Sequence, residues 1–394
     1  MKITESNMAA RFVELFGSET DPLVVRSPGR VNIIGEHTDY NEGFVLPAAI
    51  DKAAWVAVAP VQTNTVTIYA AAYSAFFVAD LSVLEPVREH WPNYVLGVAD
   101  QLKKSGFELR GFNLLLDGDV PIGAGLSSSA AVECATLFAL NEVFGLQLTR
   151  GEMAHLAQQA EHAFAGVNCG VMDMFTSLFG KKDHVINLDC RSLFYEYVPL
   201  DLKGYKIVLL NTNVHHRLSA SAYNTRREQC EQGVAWVKEQ VPHVEALRDV
   251  TGVMLEQYVL PRDPLIYRRC RYVVDENHRL LQACRDLKRG DLSALGKKMF
   301  DTHDGLSKMY EVSCTELDFL VDFVRNNPAV LGARMMGGGF GGCTINIMQE
   351  EAIETLLESL IPAYQQATGL SLSYYIAAVE NGTGCMTKRK TETA

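Results

Sequence analysis

The 394-residue sequence predicts an α+β fold, and three observations carry that prediction. Segments of β character and segments of helical period are intermixed rather than strictly alternating, which favours α+β over a doubly wound parallel sheet. The glycine run at 337–342 satisfies G-x-G-x-x-G, but residues 343–348 after it follow a strand pattern, where a dinucleotide fold needs a helix. A turn cluster at 180–183 separates two differently patterned halves, and the length suits one large or two medium domains at about 150 residues each.

Taken in order, residues 1–17 carry Lys2, Glu5, Arg11 and Glu14 on a helical pattern, without the apolar stretch of a secretory signal. Residues 28–41 read Pro-Gly-Arg-Val-Asn-Ile-Ile-Gly-Glu-His-Thr-Asp-Tyr-Asn. Val31, Ile33 and Ile34 form a short β-like core there, and Gly29 and Gly35 punctuate it. The loop presents Arg30, Glu36, His37 and Asp39 together, a set suited to a ligand rich in hydroxyl groups. Residues 55–59 and 66–69 read as β segments. Residues 91–104 have helical spacing through Tyr94, Val95, Val98 and Leu102. A short strand is expected at 112–116, a long apolar helix at 127–144 and another helix at 150–164. Strands follow at 186–188 and 205–211. Residues 219–240, 263–287 and 309–326 read as helices. Residues 334–336 lead into the glycine run, and 344–348 form a strand after it. The polar tail at 387–394 is expected to fray.

Composition narrows the function. A formal charge of −11 argues against a broad nucleic-acid footprint, which needs a basic surface, yet leaves room for a local pocket that binds one nucleotide. No uninterrupted apolar run reaches the ~18 residues of a membrane span. Nine cysteines without a C-x-x-C pair read as reduced, mostly buried thiols, and a cytoplasmic location is expected.

Residues 121–130, Pro-Ile-Gly-Ala-Gly-Leu-Ser-Ser-Ser-Ala, lie between the strand at 112–116 and the next helix. Gly123 and Gly125 let the backbone approach a ligand, and a helix start adds free N–H donors and a positive dipole end. Ser127, Ser128 and Ser129 add hydroxyls able to donate or to ligate Mg2+. The segment reads equally as a tight strand–helix turn capped by serine. It is not a Walker A loop, since no G-K-[ST] follows, and no protein-kinase signature appears. The glycines at 337–342 form either a hairpin-like loop or a wall for a ligand.

Asp173 lies among Val171, Met172, Met174 and Phe175, where a carboxylate must be paired, hydrogen-bonded or protonated. Local pattern alone also allows a helix N-cap or first-turn residue. Arg30 is its conceptual partner. Glu161 sits on the 150–164 helix, where a lone Glu is ordinarily solvated. His155 and His162 are too far apart for i,i+4 zinc spacing.

Blocks 28–41, 121–130 and 337–342, in this order, resemble the GHMP small-molecule kinases, and Gly35-Glu-His-Thr-Asp-Tyr-Asn41 resembles their galactokinase branch. The similarity extends to 161–166, 169–173, 188–193, 223–230 and 310–313, nearly the whole chain. It implies two α+β lobes with mixed sheets and the active site between them: residues 1–180, carrying the sugar motif and phosphate loop, and 181–394, carrying the third glycine motif. It also implies that the last ~20–40 residues pack back on the first lobe. It implies ATP-dependent phosphorylation of galactose at the anomeric hydroxyl, with Mg2+. Asp173 would be the catalytic carboxylate, with Arg30 beside it. Glu36, His37, Asp39, Gly170 and Tyr223 would bind the sugar. Gly123, Gly125, Leu126, Ser127, Ser128 and Ser129 would cradle the phosphates, Trp91 would lie beside adenine, and Ser129 and Glu161 would ligate Mg2+. A monomer is expected, without nucleic-acid or membrane partners. Met174, Met336 and Ala222 depart from the usual Gln, Thr and Glu. The alternatives are a related kinase acting on N-acetylgalactosamine or arabinose, and a non-catalytic galactose sensor.

Overall fold

The computed structural model describes residues 3–17, 21–214 and 219–386. The tail expected to fray, 387–394, lies outside them. Three sheets and a set of helices make a mixed α+β architecture. The largest sheet orders its strands as Gly384–Cys385, Leu23–Asn32, Pro47–Pro60, Phe112–Gly118, Thr65–Ala70 and Ala75–Asp80. All its pairings are antiparallel except Thr65–Ala70 with Phe112–Gly118. A four-stranded antiparallel sheet has the order Val330–Met335, Cys343–Gln349, Tyr205–Asn211, Ser373–Ala377. A small third sheet joins Phe44–Val45, His184–Asp189 and Tyr195–Pro199.

Helices cover one face of the large sheet. Asn93–Lys104, Ser128–Phe144, Arg150–Ala160 and Met172–Phe179 bury Val95, Val98, Leu137, Leu140, Leu156 and Phe175 against Val56, Val58, Ile68 and Leu114. A second core lies where the two large sheets approach, with Val31, Ile33, Leu126 and Met336 packed beside Leu209, Leu280 and Ile345. Each fully buried Leu or Ile side chain contributes about 1.5–3 kcal/mol of transfer free energy, so this shared core ties the halves firmly.

Several expectations shift. Residues 28–32 are not loop but the end of the ten-residue strand Leu23–Asn32. Its polar and glycine residues hid a strand that is nearly all buried. The helix expected at 309–326 spans only Thr315–Arg325, because Glu311 takes φ 53°, a left-handed value that ends the preceding turn Leu306–Tyr310. The helix expected at 150–164 is α-helical to Ala160 and then widens into one π-turn, Glu161–Ala165. The sequence reading does not assign the strand at 75–80 or the helices Leu292–Gly305 and Ile353–Thr368, although Ile353, Leu356, Leu357 and Leu360 of the last are buried at helical spacing. Among the described residues, no helix is long and apolar enough to cross a membrane.

Candidate functional site

The strand Leu23–Asn32 delivers Arg30. Its register against Pro47–Pro60 slips between Pro28 and Arg30, a bulge that kinks the strand and re-aims the next side chain. Glycine is required at the kink: a Cβ on Gly29 would lie 2.7 Å from the Leu126 carbonyl. Arg30 points across to Asp173, in the first turn of Met172–Phe179, and grips it with two parallel bonds, Nε to Oδ1 at 2.8 Å and Nη2 to Oδ2 at 2.9 Å. Nη1 donates to the Gly125 carbonyl at 2.7 Å. Such fork-to-carboxylate pairs fix orientation as well as charge. Asp173 is therefore neither an N-cap nor a free carboxylate.

Residues 121–127 wrap the other side. Gly123, Gly125 and Ser127 all take positive φ, at 75°, 73° and 57°. Alternation of this kind turns backbone N–H groups into one concavity suited to an anion. Ser127 stands at the N-cap of Ser128–Phe144 but makes no side-chain cap. Its hydroxyl donates instead to Asp173 Oδ2 at 2.6 Å. The simple reading as a serine-capped turn fails there, because the left-handed backbone swings the hydroxyl away from the helix.

The sugar-motif residues follow from the loop after Asn32. Glu36 is fully engaged: its carboxylate accepts from the Gly337 N–H and Asn32 Nδ2 and pairs with Arg334 Nη1 at 3.3 Å. Arg334 was not singled out by sequence. Its guanidinium is 0% exposed and also donates to the Ile33, Asn32 and Met335 carbonyls, tying the ends of the two large sheets together. The only sequence signal for it was a lone Arg inside a strand that leads into glycines.

His37 takes φ 62°. Its Nδ1 meets Tyr40 Oη at 2.7 Å, Tyr40 meets Tyr310 Oη at 2.7 Å, and Nε2 is buried without a protein partner. Burial pushes the imidazole down to about 4, so it is neutral near pH 7. Asp39 begins the turn Asp39–Asn41 and packs on Gly170, where a Cβ would sit 2.1 Å from Asp39 Oδ2. Burial, then the nearby Asp173 charge, pushes Asp39 up to about 7. Tyr223 comes from Ser219–Lys238, with its ring 5.4 Å from that of His37. Burial raises its hydroxyl far above the ordinary range.

These groups line one cavity of about 380 Å³: Arg30, Glu36, His37, Asp39, Gly123, Gly125, Leu126, Ser127–Ser129, Glu161, Asp173, Tyr223 and Gly337–Gly339 among them. A second cavity of about 200 Å³ shares Ser128 and Ser129 and holds Trp91, stacked on Tyr73 at 5.8 Å. The set read from sequence is thus distributed over two adjoining chambers, one polar and one with an aromatic wall. Gly170 touches the first through Asp39. Met174 lines the first chamber, whereas Met336 packs in the core with Leu126.

Glu161, at the start of the π-turn, is buried, and its Oε2 has no partner. Burial raises it above the ordinary carboxylate range. Widened turns of this kind recur at functional positions. Among the described residues, no three His, Cys, Asp or Glu side chains form a self-sufficient metal cage.

The chain matches known proteins along most of its length. Residues 10–60 match the galactokinase galactose-binding signature, 93–181 the GHMP kinases N terminal domain, and 283–365 the GHMP kinases C terminal domain. The chain is 40% identical over 353 residues to the galactokinase of Thermotoga maritima, covering 90% of this chain and 97% of that protein. It is 40% identical over 376 residues to the galactokinase of Roseiflexus sp., covering 95% of each. Its structure superposes on Lactococcus lactis galactokinase complexed with galactose with a TM-score of 0.92, at 33% identity, covering 96% of this chain and 99% of that one. The Methanococcus jannaschii mevalonate kinase shares the fold at 17% identity and a TM-score of 0.62, over 92% of this chain and 100% of that one.

Proposed function

The chain belongs to the galactokinases of the GHMP kinase family, and from that premise we propose that it transfers the γ-phosphoryl group of ATP to the anomeric hydroxyl of galactose, giving galactose 1-phosphate. The observation that carries the reading is the Arg30–Asp173–Ser127 constellation, which joins the sugar motif to the phosphate loop inside one cavity.

Phosphoryl transfer depends on positioning and charge neutralisation more than on covalent help. The backbone N–H groups of 123–129 face the phosphates and take up developing negative charge. Arg30 and the Ser127 hydroxyl hold Asp173 in one orientation. In that orientation Asp173 receives the C1 hydroxyl and accepts its proton, late in a loose transition state. Asp39, set by Gly170, and neutral His37, with a free Nε2, take sugar hydroxyls, and Tyr223 closes that wall. A misplaced hydroxyl leaves a buried acceptor unpaired, and sites of this kind reject wrong analogues by up to about 10⁴-fold. The Trp91–Tyr73 chamber suits the adenine ring. The partnerless Glu161 Oε2 and the Ser129 hydroxyl bonded to Glu161 fit a Mg2+ ion. When bound, Mg2+ neutralises β- and γ-phosphate oxygens.

The same reading divides the chain at about residue 180. In support, five strands of the largest sheet come from 23–118 and the four-stranded sheet comes from 205–377, while Gly384–Cys385 returns to pair with Leu23–Asn32. The decisive test is a sugar panel with ATP and Mg2+, with product regiochemistry read by phosphorus NMR. Product at C1 of galactose but not of glucose is expected. Preferential turnover of N-acetylgalactosamine or arabinose would replace galactose as the substrate, and no turnover of any sugar would refute an active kinase.

A further inference from the structure

Glu133 stands one helical turn beyond Ser129 on Ser128–Phe144, so the two side chains share a face. It is 0% exposed, and neither Oε1 nor Oε2 finds a partner. The side chain within hydrogen-bonding reach of it is another carboxylate, Glu161. Glu161 in turn is reached by the Ser129 hydroxyl, and its Oε2 also lacks a partner. Two buried carboxyl groups that meet no donor beyond each other and the Ser129 hydroxyl therefore stand together behind the phosphate loop. Buried polar groups are ordinarily satisfied, and each exception calls for a physical reason. An unpaired carboxylate buried away from water is costly unless a cation or a donor meets it. No Lys or Arg side chain hydrogen-bonds to either residue among the described groups.

We propose that Glu133 is the second carboxylate of the cation site. It backs Glu161 from inside the helix, within hydrogen-bonding reach, and holds that ligand's orientation toward a small divalent cation that arrives with the nucleotide phosphates. Glu161 and Ser129 are the groups that face the cavity. Glu133 acts through Glu161 and is a positioning residue. The inference rests on the reading of Ser129 and Glu161 as the cation's ligands.

The test is a Mn2+ titration, followed by electron paramagnetic resonance, of the full chain with a non-hydrolysable ATP analogue. Glu133→Leu keeps the bulk and removes the hydrogen-bonding group beside Glu161. Loss of a group that orients a metal ligand typically weakens binding by about 10–100-fold, and that loss is expected, with galactose affinity by calorimetry unchanged. Glu161→Gln serves as the control. If Glu161→Gln weakens Mn2+ binding and Glu133→Leu does not, the role of Glu133 is overturned while the cation site stands. If neither weakens it, the ligand reading itself fails, and this inference with it. Should Glu133→Leu not fold, Glu133→Asp, which keeps the carboxyl group but retracts it from Glu161, is expected to weaken Mn2+ binding several-fold and galactose binding not at all; parent-like Mn2+ affinity there overturns the proposal equally.

Discussion

Gly170→Ala isolates the contact that places Asp39. The φ of Gly170 lies outside the left-handed region, so alanine meets no backbone strain and the effect is steric. The added methyl would lie 2.1 Å from Asp39 Oδ2, 2.4 Å from its Cγ and 2.8 Å from its Cβ, against the 3.4 Å at which ordinary contact begins. The carboxylate has to move by about 1 Å, and a displacement of that size can cost on the order of 10²-fold in a preorganised site. That corresponds to about 2.7 kcal/mol. Asp39 borders the cavity and can yield into it, so the loss of stability should sit near the low end of the ~1–3 kcal/mol of an overpacked core. Calorimetry should show galactose binding weakened about 100-fold and binding of an ATP analogue unchanged. The double variant Asp39→Ala/Gly170→Ala should bind galactose no worse than Asp39→Ala alone, because both changes remove one interaction. Galactose affinity within about threefold of the parent in Gly170→Ala, or additive losses in the double variant, would refute the placement of Asp39 by Gly170.

Three further outcomes follow from the same geometry. Asp173→Asn can still orient a hydroxyl but cannot take its proton, so kcat should fall by about 10²–10⁴-fold, read by phosphorus NMR; near-parent turnover would remove Asp173 as the base. With Asp39 pushed up to about 7, galactose affinity should be flat above that pH and fall as the carboxylate is protonated below it, while Asp39→Asn should show no such step. The sign for stability is opposite, since the folded state holds this proton more tightly than the unfolded chain, and the contribution of Asp39 is lost as pH rises toward 7. Arg334→Met leaves Glu36 buried without its cation and several carbonyls without a donor, so urea denaturation should show a loss of about 3–5 kcal/mol.

Much of the site was legible because its chemistry is packed into short motifs. Arg30, Glu36, His37 and Asp39 lie within ten residues of one another, and the glycines of 121–130 mark a backbone that must turn toward a ligand. The helix at 128–144 carries a length and apolar content that local reading detects, and the one at 264–288 a length and a charged, helical pattern. The strand Leu23–Asn32 was hidden because its pattern includes Arg26, Ser27, Pro28 and Gly29, and burial on both faces leaves no alternation to read. Arg334 looked like an ordinary strand residue, and Glu133 like one charge on an apolar helix.

The sequence by itself determined the α+β character, the rejection of a dinucleotide fold, and the clustering of polar residues at 30–39 and of glycines and serines at 121–130. It did so because backbone freedom at glycine, helical period and clustered polar residues are local properties. Only the tertiary structure decided that Arg30 grips Asp173 across 143 residues of chain, that Ser127 serves Asp173 rather than its own helix, and that Glu133 stands behind Glu161. Those pairings depend on a bulge, a left-handed serine and a widened helical turn, which aim side chains at groups far away in sequence. Their partners are set by how the sheets and helices pack, and no local pattern records that.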